Sequence, residues 1–271
     1  MKTLLICHDD APLHHDGIAR WLTSFSQLAG ILVLQEGRRS LWRRAKRELR
    51  RVGTFRFADA LAFRLYYKLF LAGADKAWEE RTLERMREAY PPVGEDTSLL
   101  KATTPNSPEA EDFIRRCAPD IVLALCKTIL KPRVFSIPTH GTFVLHPGIC
   151  PEYRNAHGCF WALANDDLRK VGMSLLRIDE GIDTGPVYGH FTYPYDELFE
   201  SHVVIQHRAV VENLPGLRDR LTAICSGLAT PIDTNGRASA TWGQPWLTSY
   251  VKWKHKAKRR RISESPRAAL S

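Results

Sequence analysis

The chain has 271 residues, 44% of them apolar, which is enough for the core of one large domain and excludes disorder throughout. No uninterrupted apolar run reaches the length of a membrane-spanning helix, and the run that ends at Cys7 is too short for a secretory signal, so a cytoplasmic protein is expected. Six cysteines without a Cys-x-x-Cys pair exclude a disulfide or zinc framework, and the net charge of +9 is local rather than general. Eight Lys/Arg accompany one Glu between Arg38 and Arg51, and seven accompany no acid between Lys252 and Arg261; outside these runs the positive excess disappears.

The apolar run before Cys7, the turn-rich His8 to Pro12 and an amphipathic stretch to Leu28 predict strand, loop and helix. Gly30 to Leu34 predicts a second strand, giving the β-α-β order of a parallel sheet covered by helices. From Leu41 to Tyr90 helical composition dominates, an insertion whose apolar residues read as core or a partner face rather than as membrane contact. Leu99 to Thr103 resumes the βα rhythm, and Asn106-Ser107-Pro108 starts a helix through Arg116. Ile121 to Leu125 suits a central strand buried on both faces, and Gly141 to Leu145 is a strand that stops at His146-Pro147-Gly148. Ala156 to Ala164 reads as helix, Val171 to Ile178 and Val187 to Tyr193 as strands, and Glu212 to Ile224 as a late helix. The expected organisation is one domain over 1–245 and a basic, flexible tail over 246–271.

The densest chemistry lies in two segments, Leu145 to Arg154 and Asp179 to Val187. In an open parallel sheet, ligands sit beyond the carboxyl ends of the strands, so His146 and Asp183 can meet at one crevice. His146-Pro147, Pro151-Glu152-Tyr153-Arg154 and Asp179-Glu180-Gly181-Ile182-Asp183-Thr184-Gly185 resemble, in order and spacing, the motifs of the folate-dependent formyltransferases. That family includes methionyl-tRNA formyltransferase, glycinamide ribonucleotide transformylase and sugar N-formyltransferases. The resemblance covers roughly 98–195, the opening strand and helix loosely, and neither the insertion nor the tail.

The resemblance implies a Rossmann-like α/β fold and transfer of a formyl group from 10-formyltetrahydrofolate to an amine. His146 would polarise the formyl oxygen, and Asp183 would keep His146 protonated and move the amine's proton through water. Main-chain groups of Thr128, Ile129 and Leu130 would grip the pterin, with Gly181 and Ile182 closing the other side. Tyr153 and Arg154 would hold the acceptor or its phosphate. Asp179 would organise its loop. The cluster His8, Asp9, His14, His15 and Asp16 fits no metal-ligand spacing, and no metal is expected.

One departure stands out: Val144 occupies the position of the family's catalytic Asn, and an apolar side chain cannot donate to an oxyanion. Asn155, where the family often has Gly, is a candidate substitute donor. About seventy residues follow Ser201, mostly helix and tail, whereas tRNA formyltransferases carry a β-rich C-terminal domain. A small-molecule amine such as an amino-sugar or sugar nucleotide is therefore the expected acceptor, ahead of nucleic acid. The rival expectations are a methionyl-tRNA formyltransferase, a 10-formyltetrahydrofolate hydrolase, and a catalytically degenerate folate- or partner-binding protein. The apolar helix around Leu61 to Leu71 is a candidate homodimer face.

Overall fold

Five apolar runs form parallel strands in a computed structural model that describes residues 1–35 and 38–268. They are β1 (Lys2–His8), β2 (Gln27–Leu34), β3 (Ser98–Ala102), β4 (Ile121–Leu125) and β5 (Gly141–His146). A two-residue strand β6 (Arg154–Asn155) then leaves the sheet, before β7 (Met173–Arg177) returns to it antiparallel to β5 and β8 (Val187–Phe191) pairs antiparallel to β7. The order β3-β2-β1-β4-β5-β7-β8 reverses direction at β1 and β4, so a crevice opens beyond their carboxyl ends. β6 pairs instead with β9 (Thr241–Trp242), Asn155 opposite Trp242.

Alternation along the central strands supplies two cores. Leu5, Cys7, Ile121 and Leu123 enter the larger one, while Leu4, Ile6, Val122 and Ala124 enter the smaller. Burial on both faces explains why these strands read as unbroken apolar runs. The smaller core is closed by helix α4, whose Ser107 cap accepts from the Ala110 amide and whose first residue is Pro108, as the Asn-Ser-Pro signal predicts.

The helices are α1 (Ala19–Thr23), α2 (Arg38–Phe70), α3 (Ala72–Ala89), α4 (Pro108–Cys117), α5 (Pro132–Phe135), α6 (Gly158–Ala164), α7 (His202–Val211), α8 (Leu214–Cys225) and α9 (Leu247–Ala268). The expected insertion is α2 and α3, with α2 bent where Gly53 adopts φ +78°. The late helix expected from Glu212 to Ile224 is α8, and α7 before it is a helix the sequence reading leaves out. α6 starts at Gly158 rather than Ala156, because His157 stands in the left-handed region at φ +56°.

The segment expected as a flexible tail is helix α9, and it is docked. Trp253 is fully buried and donates its indole N–H to Glu197 Oε2 at 2.9 Å, while Tyr250 and Ala257 are buried on the same side. Arg260 pairs with the same carboxylate at 2.6 Å. An apolar 250/253/257 stripe spaced for one helix face lies hidden among the lysines.

Candidate active site

His146 ends β5 and is 4% exposed. Its Nδ1 lies 3.4 Å from Asp183 Oδ2, and its Nε2 lies 2.7 Å from the Tyr153 carbonyl. A carbonyl only accepts, so Nε2 carries a hydrogen and Nδ1 is the nitrogen left for chemistry. At 3.4 Å its contact with the carboxylate is longer than a good hydrogen bond, which leaves Nδ1 able to turn to a third partner.

Asp183 reaches this position on a tightly wound loop. Asp179 accepts from the Gly181 amide at 3.0 Å and from the Thr184 hydroxyl at 2.8 Å, and Asp183 stands at φ +52°. A Cβ at Gly181 would lie 1.9 Å from Thr184 Oγ1, so any larger residue there would displace the hydroxyl that Asp179 holds. Asp183 Oδ2 also accepts the Asn155 amide at 2.7 Å, and Arg154 Nη1 donates to the Ile182 carbonyl at 3.1 Å. The two motif loops are thus tied together through backbone groups.

Asn155 spends one of its two side-chain N–H groups on the small sheet, where its Nδ2 donates to the Trp242 carbonyl. Its φ of +77° explains a position that suits Gly, since Asn tolerates the left-handed region better than most residues. Tyr153 cannot hold an acceptor through its ring. It is buried, stacks on Trp242 with centroids 5.7 Å apart, and donates its hydroxyl to Asp167 at 3.2 Å. Its contribution is the carbonyl that fixes His146. Arg154 Nε is buried without a hydrogen-bond partner.

Beneath His146 the chain crosses itself at two glycines. A Cβ on Gly158 would lie 2.6 Å from Gly148 Cα, and one on Gly148 would lie 2.6 Å from the Tyr153 carbonyl. Ser174, opposite His146 on β7, locks the turn by accepting the Cys150 amide at 2.9 Å and donating to the Gly148 carbonyl at 2.8 Å. Burial first, and the Asp183 charge second, push the Cys150 thiol up to about 12, so it is no nucleophile. Val144 sits in an apolar cluster with Cys150, Leu176, Val187 and Ile232.

Across the crevice, Asn106 pins the bend after β4: Nδ2 donates to the Ile129 carbonyl at 2.9 Å and Oδ1 accepts the Lys131 amide at 2.7 Å. The amides of Thr128, Ile129 and Leu130 and the Leu130 carbonyl have no hydrogen-bond partner among the described residues. The Leu130 side chain is in the smaller core, whereas Ile129 and, on the Asp183 loop, Ile182 expose 62% and 44%. This bend therefore offers free main-chain donors and an acceptor beside the exposed Ile129 side chain.

Sequence reasoning missed a group of histidines that only the fold assembles. His8 ends β1 and accepts the Lys127 amide at 3.1 Å. His14 stacks on His207 at 6.2 Å, and His157 meets His202 at 6.0 Å. The Nδ1 atoms of His14, His157 and His202 are buried without partners. Burial, then the charges of Arg64 and Lys127, push His157 down to about 4; burial, then His207 and other neighbours, push His14 down to about 3. His8 and His14 stand close in sequence, but His157 and the His202/His207 pair come from two further stretches, so no spacing announces the group as a whole. Among the described residues no His/Cys/Asp/Glu group could hold a metal ion.

A family model described as formyl transferase matches residues 71–208, half of the chain. The chain belongs to the formyl transferase family. That match begins at α3, so the second helix of the expected insertion lies within it. Among curated relatives, methionyl-tRNA formyltransferase of Dehalococcoides mccartyi (strain CBDB1) is 33% identical over 116 residues, 40% of this chain and 37% of that protein. The enzyme of the same name from Myxococcus xanthus is 36% identical over 103 residues, 36% of this chain and 33% of that protein. The chain thus spans about a third of the length of the curated relatives it matches. In fold it is similar to a sugar N-formyltransferase from Shewanella sp. FDAARGOS_354, with a TM-score of 0.53, 12% identity and coverage of 93% of this chain and 87% of that one. It is also similar to glycinamide ribonucleotide transformylase 1 from Symbiobacterium toebii, with a TM-score of 0.51, 10% identity and coverage of 86% and 94%.

Proposed function

We propose that the protein transfers a formyl group from 10-formyltetrahydrofolate to the primary amine of a small molecule, an amino-sugar or sugar nucleotide. The reading rests on the placement of His146 Nδ1 3.4 Å from Asp183 at the mouth of the crevice. When bound, the folate supplies the formyl carbon. The free amides of Thr128, Ile129 and Leu130 would hold its pterin edge, with Ile129 and Ile182 against its faces.

His146 has its Nε2–H fixed by Tyr153, so its Nδ1 works in both directions. Protonated, Nδ1 donates to the formyl oxygen as negative charge grows there; neutral, it accepts a proton from the attacking amine. As the amine nitrogen bonds to the formyl carbon, the bond from that carbon to the folate nitrogen breaks. The proton lost by the amine is returned to the leaving nitrogen. Asp183, steadied by the Asn155 amide, holds the imidazole and relays this proton.

Lys127, Arg64 and Arg154 around the crevice favour an acceptor that carries phosphate or carboxylate. Fold similarity to a sugar N-formyltransferase supports the small-molecule reading, and the sequence relatives named for methionyl-tRNA support a second acceptor class. The apolar setting of Val144 favours one further reading, a protein that binds the folate but turns it over slowly. A screen of amines, amino-sugar nucleotides and initiator tRNA with 10-formyltetrahydrofolate, followed by release of tetrahydrofolate, separates these readings. Amine-dependent release with a sugar nucleotide is expected. Release without any amine would point to hydrolysis, and binding without release to a degenerate site.

A further inference from the structure

α2 and α9 lie side by side over the larger core. Asp59 accepts the Thr248 amide at 3.1 Å, and the Tyr250 ring meets those of Phe63 and Tyr66 at 5.3 and 5.4 Å. Ala60 and Phe63 on one helix, and Tyr250, Trp253 and Ala257 on the other, face inward. The outward faces carry an unusual load. Leu61, Leu65 and Leu69, four residues apart, form one stripe with 45–65% of each side chain exposed. Phe55 and Phe70 on α2 and Val251 and Ile262 on α9 are exposed as well. Of the thirteen large apolar side chains exposed among the described residues, eight belong to these two helices.

The same helices hold nearly half of the basic residues and few of the acidic ones. Their sequences contain 19 of the 39 Lys/Arg and 3 of the 30 Asp/Glu, which leaves 20 basic against 27 acidic residues in the rest of the chain. On α9, Lys256, Arg260 and Arg261 pair with Asp166, Glu197 and Asp196. Lys68, Lys252, Lys258 and Arg259 are exposed and have no acidic partner among the described residues. No helix of the described residues is long and apolar enough to cross a membrane.

We propose that this α2/α9 face docks on a bilayer containing anionic phospholipid. Leu61, Leu65 and Leu69 would enter the boundary between headgroups and acyl chains, while the unpaired Lys and Arg would meet the phosphates. The aliphatic stripe favours lipid over a polynucleotide, which rewards cations and stacking rings but gains little from exposed leucines. The charge disfavours a second copy of the chain, because two such faces would bring like charges together. The proposal is independent of the formyl-transfer reading.

The test is sedimentation with vesicles of phosphatidylcholine alone and of phosphatidylcholine mixed with phosphatidylglycerol. Retention is expected only on the mixed vesicles, weaker as salt rises. Replacing Leu65→Ser and Leu69→Ser together should lower partitioning by about tenfold or more, and Val251→Ser with Ile262→Ser should act the same way less strongly. These side chains are exposed, so far-ultraviolet circular dichroism and the melting temperature should stay unchanged in each variant. Three results would overturn the proposal. One is no retention on anionic vesicles. Another is retention undiminished by the leucine replacements, the behaviour of a polynucleotide-type charge surface. The last is a dimer in lipid-free solution that those replacements dissolve.

Discussion

The loops beyond β5 and β7 and the outer face of α2 and α9 obey opposite rules. In the loops nearly every polar group is engaged. Asp179 winds its own loop, Asp183 is held by a backbone amide, and the His146 ring is pinned by a carbonyl. On the outer face, leucines and phenylalanines stand in solvent beside unpaired cations. The first region is rigid because its hydrogen bonds are spent inside the protein, which suits a site that must hold reacting atoms in register. The second has its interactions still to make, which suits a surface that meets another body.

The largest effect expected in the first region is chemical. Asp183→Asn keeps the shape and the amide contact but removes the charge beside His146, and should lower kcat/KM for formyl transfer by about 1000-fold with an unchanged melting temperature. A fall of less than tenfold would break the contrast, since Asp183 would then be a loop fastener like Asp179. Next comes Gly158→Ala. Its new Cβ meets backbone at 2.6 Å from Gly148 Cα, and overpacking of this kind costs about 3 kcal/mol in urea unfolding. An unchanged midpoint would show that the crossing under His146 yields easily.

A smaller effect is tied to pH. In the folded protein His157 takes its proton only near pH 4, because it is enclosed and faces Arg64 and Lys127, whereas an unperturbed histidine does so near 6.5. Between those values the unfolded chain binds more protons, so stability is whole above about 6.5 and drains as pH falls toward 4. His202, buried with burial the first cause of its lowered affinity for protons, adds in the same direction. His202→Phe should flatten the stability-pH profile in that window; an unaltered slope would place the acid sensitivity elsewhere. The smallest expected effect is that of Asn155→Gly, which keeps the amide that holds Asp183 and the positive φ. Activity should change by less than about threefold, whereas a loss near 100-fold would establish the side chain as an oxyanion donor.

What the sequence disclosed followed the distance over which each feature is encoded. β1, β4 and β5 were legible because a strand buried on both faces writes an unbroken apolar run. The convergence of His146 and Asp183 was readable from two compact motifs placed after strands. The setting of Asn155 was hidden because residue type reports what a side chain could donate, while its place in the small sheet and its φ are set by strands far apart in the chain. The docking of α9 was hidden because Trp253 finds Glu197 and Phe160 far away in the chain, and its neighbours in sequence are lysines. The histidine group was invisible for the same reason.

The proposed chemistry rests on the His146 imidazole above all. Initial rates of tetrahydrofolate release should therefore be compared for the natural chain and His146→Ala, with 10-formyltetrahydrofolate and the best amine acceptor found. Amine-dependent release by the natural chain, reduced at least about 1000-fold in a variant that still folds and binds the folate, is the expected result. Equal rates in the two proteins would contradict the assignment of the crevice as the catalytic centre.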